Sequence, residues 1–164
     1  MAKVPPPVHC QICGRPIMAK SGYIAHHGYR RPGYGWQTGS CPGARHVPFE
    51  KGKDAIDGQL SLFPKWIDDT QAAVDKFIQN PPAELAFSKR DAYGRRVSNK
   101  VFPKPEGFVP NDAISRGCCR PGSYEDEFLT YVFGRRRHIK ELEEYRKLLI
   151  ERLAEWHEKI EPTL

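Results

Sequence analysis

Long apolar runs are missing from this chain of 164 residues. Nowhere does it approach the roughly eighteen consecutive apolar residues needed to cross a bilayer. The opening MAKVPPPVHC also lacks the apolar stretch of a secretory signal. No membrane partner is therefore expected, and the sequence predicts a cytoplasmic protein, whose thiols stay reduced. Five cysteines, an odd number, fit a disulfide framework poorly. Acidic residues are missing too: no Asp or Glu occurs before Glu50. A catalytic zinc needs an open coordination position and usually a carboxylate base nearby, so this absence argues against a zinc hydrolase or deaminase. There is no GxxxxGK[ST], no glycine-rich nucleotide fingerprint and no GxSxG. Nothing points to a kinase, nucleotidase or esterase, and the chain reads as a non-enzyme.

What is plentiful is cationic charge, glycine and proline. The formal net charge is +6, and it is unevenly placed. Residues 1–50 hold six basic residues against one acidic, and residues 83–122 hold eight against four. Residues 51–82 and 123–164 are close to balance, with four against five and eight against ten. Two separated basic segments favour nucleic acid or another anionic partner, through phosphate neutralisation and counterion release.

The pattern predicts an α+β fold in four segments. Residues 1–50 carry Gly14, Gly22, Gly28, Gly33, Gly35, Gly39 and Gly43, which suits tight turns and short strands in a Cys/His module. Residues 51–82 carry a helix over 53–79, with a possible break at Pro64. Its stripe comprises Trp66, Ile67, Thr70, Ala73, Val74, Phe77 and Ile78, and Asn80-Pro81-Pro82 ends it. Residues 83–122 open with a basic β-hairpin, Leu85 and Phe87 on one arm, Val97 and Val101 on the other, and a turn at Asp91–Gly94. An irregular connection follows over 103–122. Residues 123–162 form a long amphipathic helix capped by Ser123, with Asp126 in capping-box position. Its seam runs through Phe128, Val132, Ile139, Leu142, Leu149, Leu153, Trp156 and Ile160, interrupted by Arg135 and Arg146. A single-seam helix needs a partner. The first helix is expected to cover half of it as an antiparallel hairpin, and a second copy of the chain the rest, as a homodimer through 123–160.

Residues 9–46 gather three of the five cysteines and four of the six histidines. Cys10 and Cys13 form a C-x2-C followed by glycine, the turn in which two thiolates converge on one tetrahedral ion. Cys41 is the third candidate ligand. The fourth is His27, giving C-x2-C-x13-H-x13-C, with His46 as the alternative and His26 a weaker one. His9 reads as a surface residue. Three thiolates and one imidazole saturate a zinc ion and make it a poor Lewis acid. The expected cofactor is therefore one structural Zn2+ that folds a glycine-rich segment with little core of its own. Cys118 and Cys119 lack companion ligands and stay unassigned.

Between the ligands, Arg30, Arg31, Tyr34 and Trp36 interleave guanidinium groups with aromatic faces, a combination that grips phosphates while stacking on bases. Lys89, Arg90, Arg95, Arg96 and Lys100 give the hairpin a basic ribbon. A small aromatic core and a solvated hairpin face would produce the same letters. His26-His27 after C-x2-C-G also has the opening of HNH-type endonucleases, but the acidic residue beside the histidine and the later Asn and His are missing.

Cys10, Cys13, His27-Gly28-Tyr29, Arg31-Pro32-Gly33, Gly35, Cys41, Gly43, His46 and Pro48-Phe49-Glu50 spell C-x2-C, HGYxRPGxG and CxGxxHxPFE. This string resembles small zinc-binding proteins of bacteriophages and other mobile elements, most strongly over residues 10–50. The resemblance implies a bacterial host cytoplasm, brings no established activity, and includes both His27 and His46. The leading expectation is a nucleic-acid-binding zinc protein, an accessory or regulatory factor. A protein-interaction factor acting on a host complex is the alternative, and an HNH-like metal-dependent nuclease the third.

Overall fold

The computed structural model describes residues 8–20, 22–29, 39–90, 96–117 and 119–160. Six two-residue strands come first: β1 (Val8–His9), β2 (Pro16–Ile17), β3 (Ala19–Lys20), β4 (Tyr23–Ile24), β5 (Gly28–Tyr29) and β6 (Gly39–Ser40). Then follow α1 (Asp54–Gln79), β7 (Glu84–Arg90), β8 (Arg96–Pro103), α2 (Pro110–Arg116) and α3 (Tyr124–Ile160). The strands pair as antiparallel neighbours, β1 with β2, β3 with β4, β5 with β6 and β7 with β8. The fold is α+β, and α3 packs against α1 as an antiparallel hairpin. Among the described residues no helix is long and apolar enough to cross a membrane.

The chain divides into two compact units. One comprises Met1–Pro64 with Leu142–Leu164, and the other Lys65–Glu141. In the first, the start of α1 buries Ala55, Ile56 and Phe63, while α3 buries Leu142 and Leu149. Phe63 meets Tyr145 edge-on with ring centroids 5.4 Å apart, and Lys53 lies over the Trp156 ring. In the second, Val74 of α1, Ala113 of α2 and Tyr124, Phe128, Leu129 and Val132 of α3 form one buried cluster. Phe77 stacks on Phe128 at 5.2 Å, and Phe108 meets Tyr124 and Phe128 edge-on. Each large apolar side chain buried in this way contributes about 1.5–3 kcal/mol.

Pro64 does not break α1, which runs unbroken over 26 residues. The ring lies on an exposed position while its neighbour Phe63 is fully buried. Packing of the flanking turns thus outweighs the missing N–H and its cost of about 3 kcal/mol. The long helix keeps its place, with 37 residues spanning about 55 Å. Its cap is close to expectation: Ser123 Oγ accepts from the Asp126 amide at 3.2 Å. Asp126 reaches back one residue further, to the Gly122 amide at 2.8 Å.

Two differences appear in the middle segment. The hairpin register sets Leu85 opposite Phe102 and Ala86 opposite Val101. Phe102 rather than Val101 is therefore the partner of Leu85 against the core, and Val101 is 55% exposed. The expected turn at Asp91–Gly94 lies outside the described residues. The connection over 103–122 contains a helix, α2, with proline in its first turn and Gly117 at its C-cap in the left-handed region, φ +64°. Proline entering and glycine leaving is a known helix signature, hidden here by the local density of both residues.

Candidate metal centre

Two small hairpins build the centre. In the β1–β2 hairpin, the Cys10 amide donates to Arg15 O and the Gly14 amide to Cys10 O, each at 3.0 Å. Gly14 has φ +70°, which lets this loop turn tightly enough for Cys10 and Cys13 to face one point. In the β5–β6 hairpin, Gly28 pairs with Ser40 and the Cys41 amide donates to His27 O at 3.0 Å. The ladder thus delivers His27 and Cys41 side by side. A bond from the Phe49 amide to His9 O and a pair between Ile24 and the 45–46 backbone hold the surrounding loops.

The structure brings Cys10, Cys13, His27 and Cys41 together, with all four ligand atoms within 4.8 Å of one another. Cys10 Sγ lies 3.7 Å from Cys41 Sγ, and Cys13 Sγ 3.3 Å from His27 Nε2. Zn–S bonds of about 2.3 Å and a Zn–N bond of about 2.0 Å at tetrahedral angles require S···S near 3.8 Å and S···N near 3.6 Å. The donor set fits zinc. His27 Nδ1 faces Ala25 O at 2.8 Å, and this bond fixes the tautomer that leaves Nε2 free to bind metal. Four protein donors complete the shell, and Cys10 and Cys41 are buried. This is the arrangement of a single structural Zn2+.

Without a cation the three sulfurs cannot all ionise. Thiol hydrogen bonds from Cys10 and then Cys41 hold Cys13 far below the usual range. Sharing with Cys13 pushes the Cys10 thiol up, and sharing with Cys10 pushes Cys41 up. A divalent ion relieves this crowding by taking all three as thiolates, with release of protons.

The alternative ligands are engaged elsewhere. His46 Nδ1 contacts Asp54 Oδ2 at the start of α1, His26 Nε2 pairs with Ser40 Oγ at 2.8 Å, and His9 pairs with Glu50. Burial opposes ionisation of Asp54, but hydrogen bonds from Gln11 and His46 outweigh it and hold the carboxyl below its ordinary value.

Of the basic and aromatic positions expected to touch nucleic acid, Arg30, Arg31, Tyr34, Trp36 and Arg95 lie outside the described residues. Lys89 and Arg90 fall in β7 and Arg96 in β8, with Arg90 opposite Arg96. Lys100 is exposed on β8 opposite Phe87. Cys119 donates to Asp126 Oδ1 at 3.7 Å and packs on the second unit's core. Cys118 lies outside the described residues.

Three residues near the centre have roles that the sequence reading did not assign. A Cβ on Gly43 would sit 2.5 Å from Cys10 Sγ, so only glycine fits beside that ligand. Gln11, between the two knuckle cysteines, is fully buried. Its amide donates to Val47 O and to Asp54 Oδ1, both at 2.8 Å, and its Oε1 accepts from the Ala55 amide at 2.8 Å. It thereby caps α1. Arg152 reaches the knuckle from α3. A polar residue flanked by two ligands and an arginine between Leu149 and Trp156 on the seam were the available signals.

No known protein family, curated protein or solved structure matches the chain.

Proposed function

We propose that this chain is a non-enzymatic nucleic-acid-binding protein built on one structural zinc. It would serve as an accessory or regulatory factor of a phage or mobile element in a bacterial cytoplasm, the origin suggested by the motif of residues 10–50. The observation that carries the reading lies on α3. Arg135, Arg136, Arg137 and Lys140 are all exposed, and no carboxylate occupies an exposed position from Thr130 to Lys140. Some exposed cations face carboxylates, as in Lys65–Asp69, Arg116–Glu125 and Lys147–Glu151, while Lys51, Lys76 and Arg146 stand exposed without an ion pair among the described residues. The four clustered cations likewise make no ion pair among the described residues, and Arg135 alone rests on an aromatic ring, that of Tyr131. Unpaired guanidinium groups on a rigid helix are suited to phosphate oxygens.

The test is a titration of labelled single- and double-stranded oligonucleotides at two salt concentrations. Binding is expected to weaken steeply with salt, and the triple variant Arg136→Ala, Arg137→Ala, Lys140→Ala to lower the salt slope by about one per lost phosphate contact. Combined Arg30, Arg31, Arg95 and Arg96 to Ala substitution should act in the same direction. Absence of binding at low salt would favour the second reading, a protein-interaction factor. Phe87 and Val101, exposed on the hairpin, support that alternative. A homodimer through α3 belongs to the same reading, with Leu148 exposed on that helix.

A further inference from the structure

We infer that Arg152 is a positioning residue of the metal centre, so that zinc occupancy and the order of the C-terminal half of α3 are thermodynamically linked. The inference rests on the structural-zinc reading and is independent of the nucleic-acid one.

Arg152 is about 140 residues from the knuckle in sequence, yet its guanidinium is seated on it. Nε donates to Gln11 O at 2.6 Å and Nη2 to Cys10 O at 2.9 Å. The guanidinium carbon stands 4.3 Å from the centre of the Phe49 ring, so the group is held by two bonds in its plane and a ring on its face. Gly14 makes the room: a Cβ there would meet Nη1 at 2.8 Å. Cys10 O, the acceptor of Nη2, also receives the Gly14 amide that closes the knuckle turn. Arg152 therefore fixes the backbone of the first two residues of the C-x2-C turn from outside. Gln11 fixes the same turn from the α1 side through its cap on Ala55.

Electrostatics act in the same direction. Three thiolates, an imidazole and a divalent ion carry a net charge of −1, and a fixed cation beside them favours the fully ionised donor set. Arg152, seated on the Gln11 and Cys10 carbonyls, is such a cation. Outer partners that orient metal ligands typically contribute 10- to 100-fold in metal affinity. Linkage then requires the reverse effect: whatever Arg152 adds to zinc affinity, zinc adds to the docking of α3.

The test uses the full chain. Zinc affinity is measured by chelator competition for wild type, Arg152→Ala, Arg152→Lys and Leu142→Ala, the last a packing change in the same unit away from the knuckle. Amide exchange across residues 149–156 is followed with and without zinc. The expected result is roughly a 10- to 100-fold loss of affinity for Arg152→Ala. Arg152→Lys, which keeps charge but loses the planar fork, should fall between, with the cobalt-substituted absorption of a Cys3His site preserved. Leu142→Ala, which leaves the contacts at the knuckle in place, should lose clearly less zinc affinity than Arg152→Ala, and zinc should slow exchange across 149–156 in the wild type. If Arg152→Ala does not fold, Arg152→Lys decides. Unchanged affinity in the Arg152 variants, an equal loss in Leu142→Ala, or exchange indifferent to zinc would overturn the inference while leaving the zinc site intact. A wild-type chain that takes no zinc would overturn both.

Discussion

The two compact units are held together by different chemistry. In the unit of Lys65–Glu141 the interior is apolar, with Val74, Ala113, Tyr124, Phe128, Leu129 and Val132 in one cluster and two further aromatic rings, Phe77 and Phe108, against Phe128 and Tyr124. In the unit of Met1–Pro64 with Leu142–Leu164, the described residues of the N-terminal part form two-residue strands, and the large apolar side chains buried among them are chiefly Ile12, Ile24 and Phe49. Its cohesion comes from four converging metal donors, a buried glutamine and an arginine fork. Burial holds the unit of Lys65–Glu141, whereas the N-terminal part of the other unit is gathered around a set of metal donors. The same chain thus solves the problem of too little core in one place and has no such problem in the other.

That contrast predicts separable responses. The largest effect should come from removing the metal, by chelation or by Cys41→Ser. Structural zinc contributes on the order of 10 kcal/mol to folding of small modules. Amide protection across residues 8–50 should collapse, while protection at 124–132 should persist. Equal loss in both regions would erase the distinction. Phe128→Ala should reverse the pattern, destabilising the second unit by about 3–5 kcal/mol in denaturant melts while bound zinc stays at one per chain. Smaller again is Gly43→Ala, which forces a methyl against Cys10 Sγ. An overpacking cost of about 1–3 kcal/mol should appear as weaker zinc retention against a chelator. Smallest is the contribution of Asp54. Its carboxyl is held below its ordinary value, so the stability it adds is present above the unfolded carboxylate pKa and is lost as pH falls through the folded one. Because Asp54 is more than half exposed, the effect should stay under about 1 kcal/mol. It should vanish in Asp54→Asn when unfolding is followed from pH 5 down to pH 2.

Much of this organisation was legible in the letters, for reasons that differ by region. The seam of α3 could be read because a 3.6-residue period sustained over ten turns has few competing explanations. The antiparallel hairpin followed from the need of that seam for a partner, and the ligand spacing of Cys10, Cys13, His27 and Cys41 from the demands of a tetrahedral ion. What escaped depends on contacts between distant residues. Val101 and Phe102 are equally apolar neighbours, and only the strand register decides which one meets Leu85. Pro64 looked like a break because local propensity was weighed without the buried Phe63 beside it. Arg135 and Arg146 were the arginines that drew notice on the seam, yet both are exposed. Arg152, one helical turn beyond Leu149, is the one that faces inward, onto a carbonyl pair that sequence alone cannot place there.

The central claim is that one zinc ion is bound by Cys10, Cys13, His27 and Cys41, with His46 serving α1 instead. Native mass spectrometry of the intact chain and of its His27→Ala and His46→Ala variants tests it most directly. The account predicts one zinc in the wild type, one in His46→Ala, and loss or marked weakening in His27→Ala. A wild type without zinc, or a His46→Ala variant that loses the metal while His27→Ala keeps it, would contradict it.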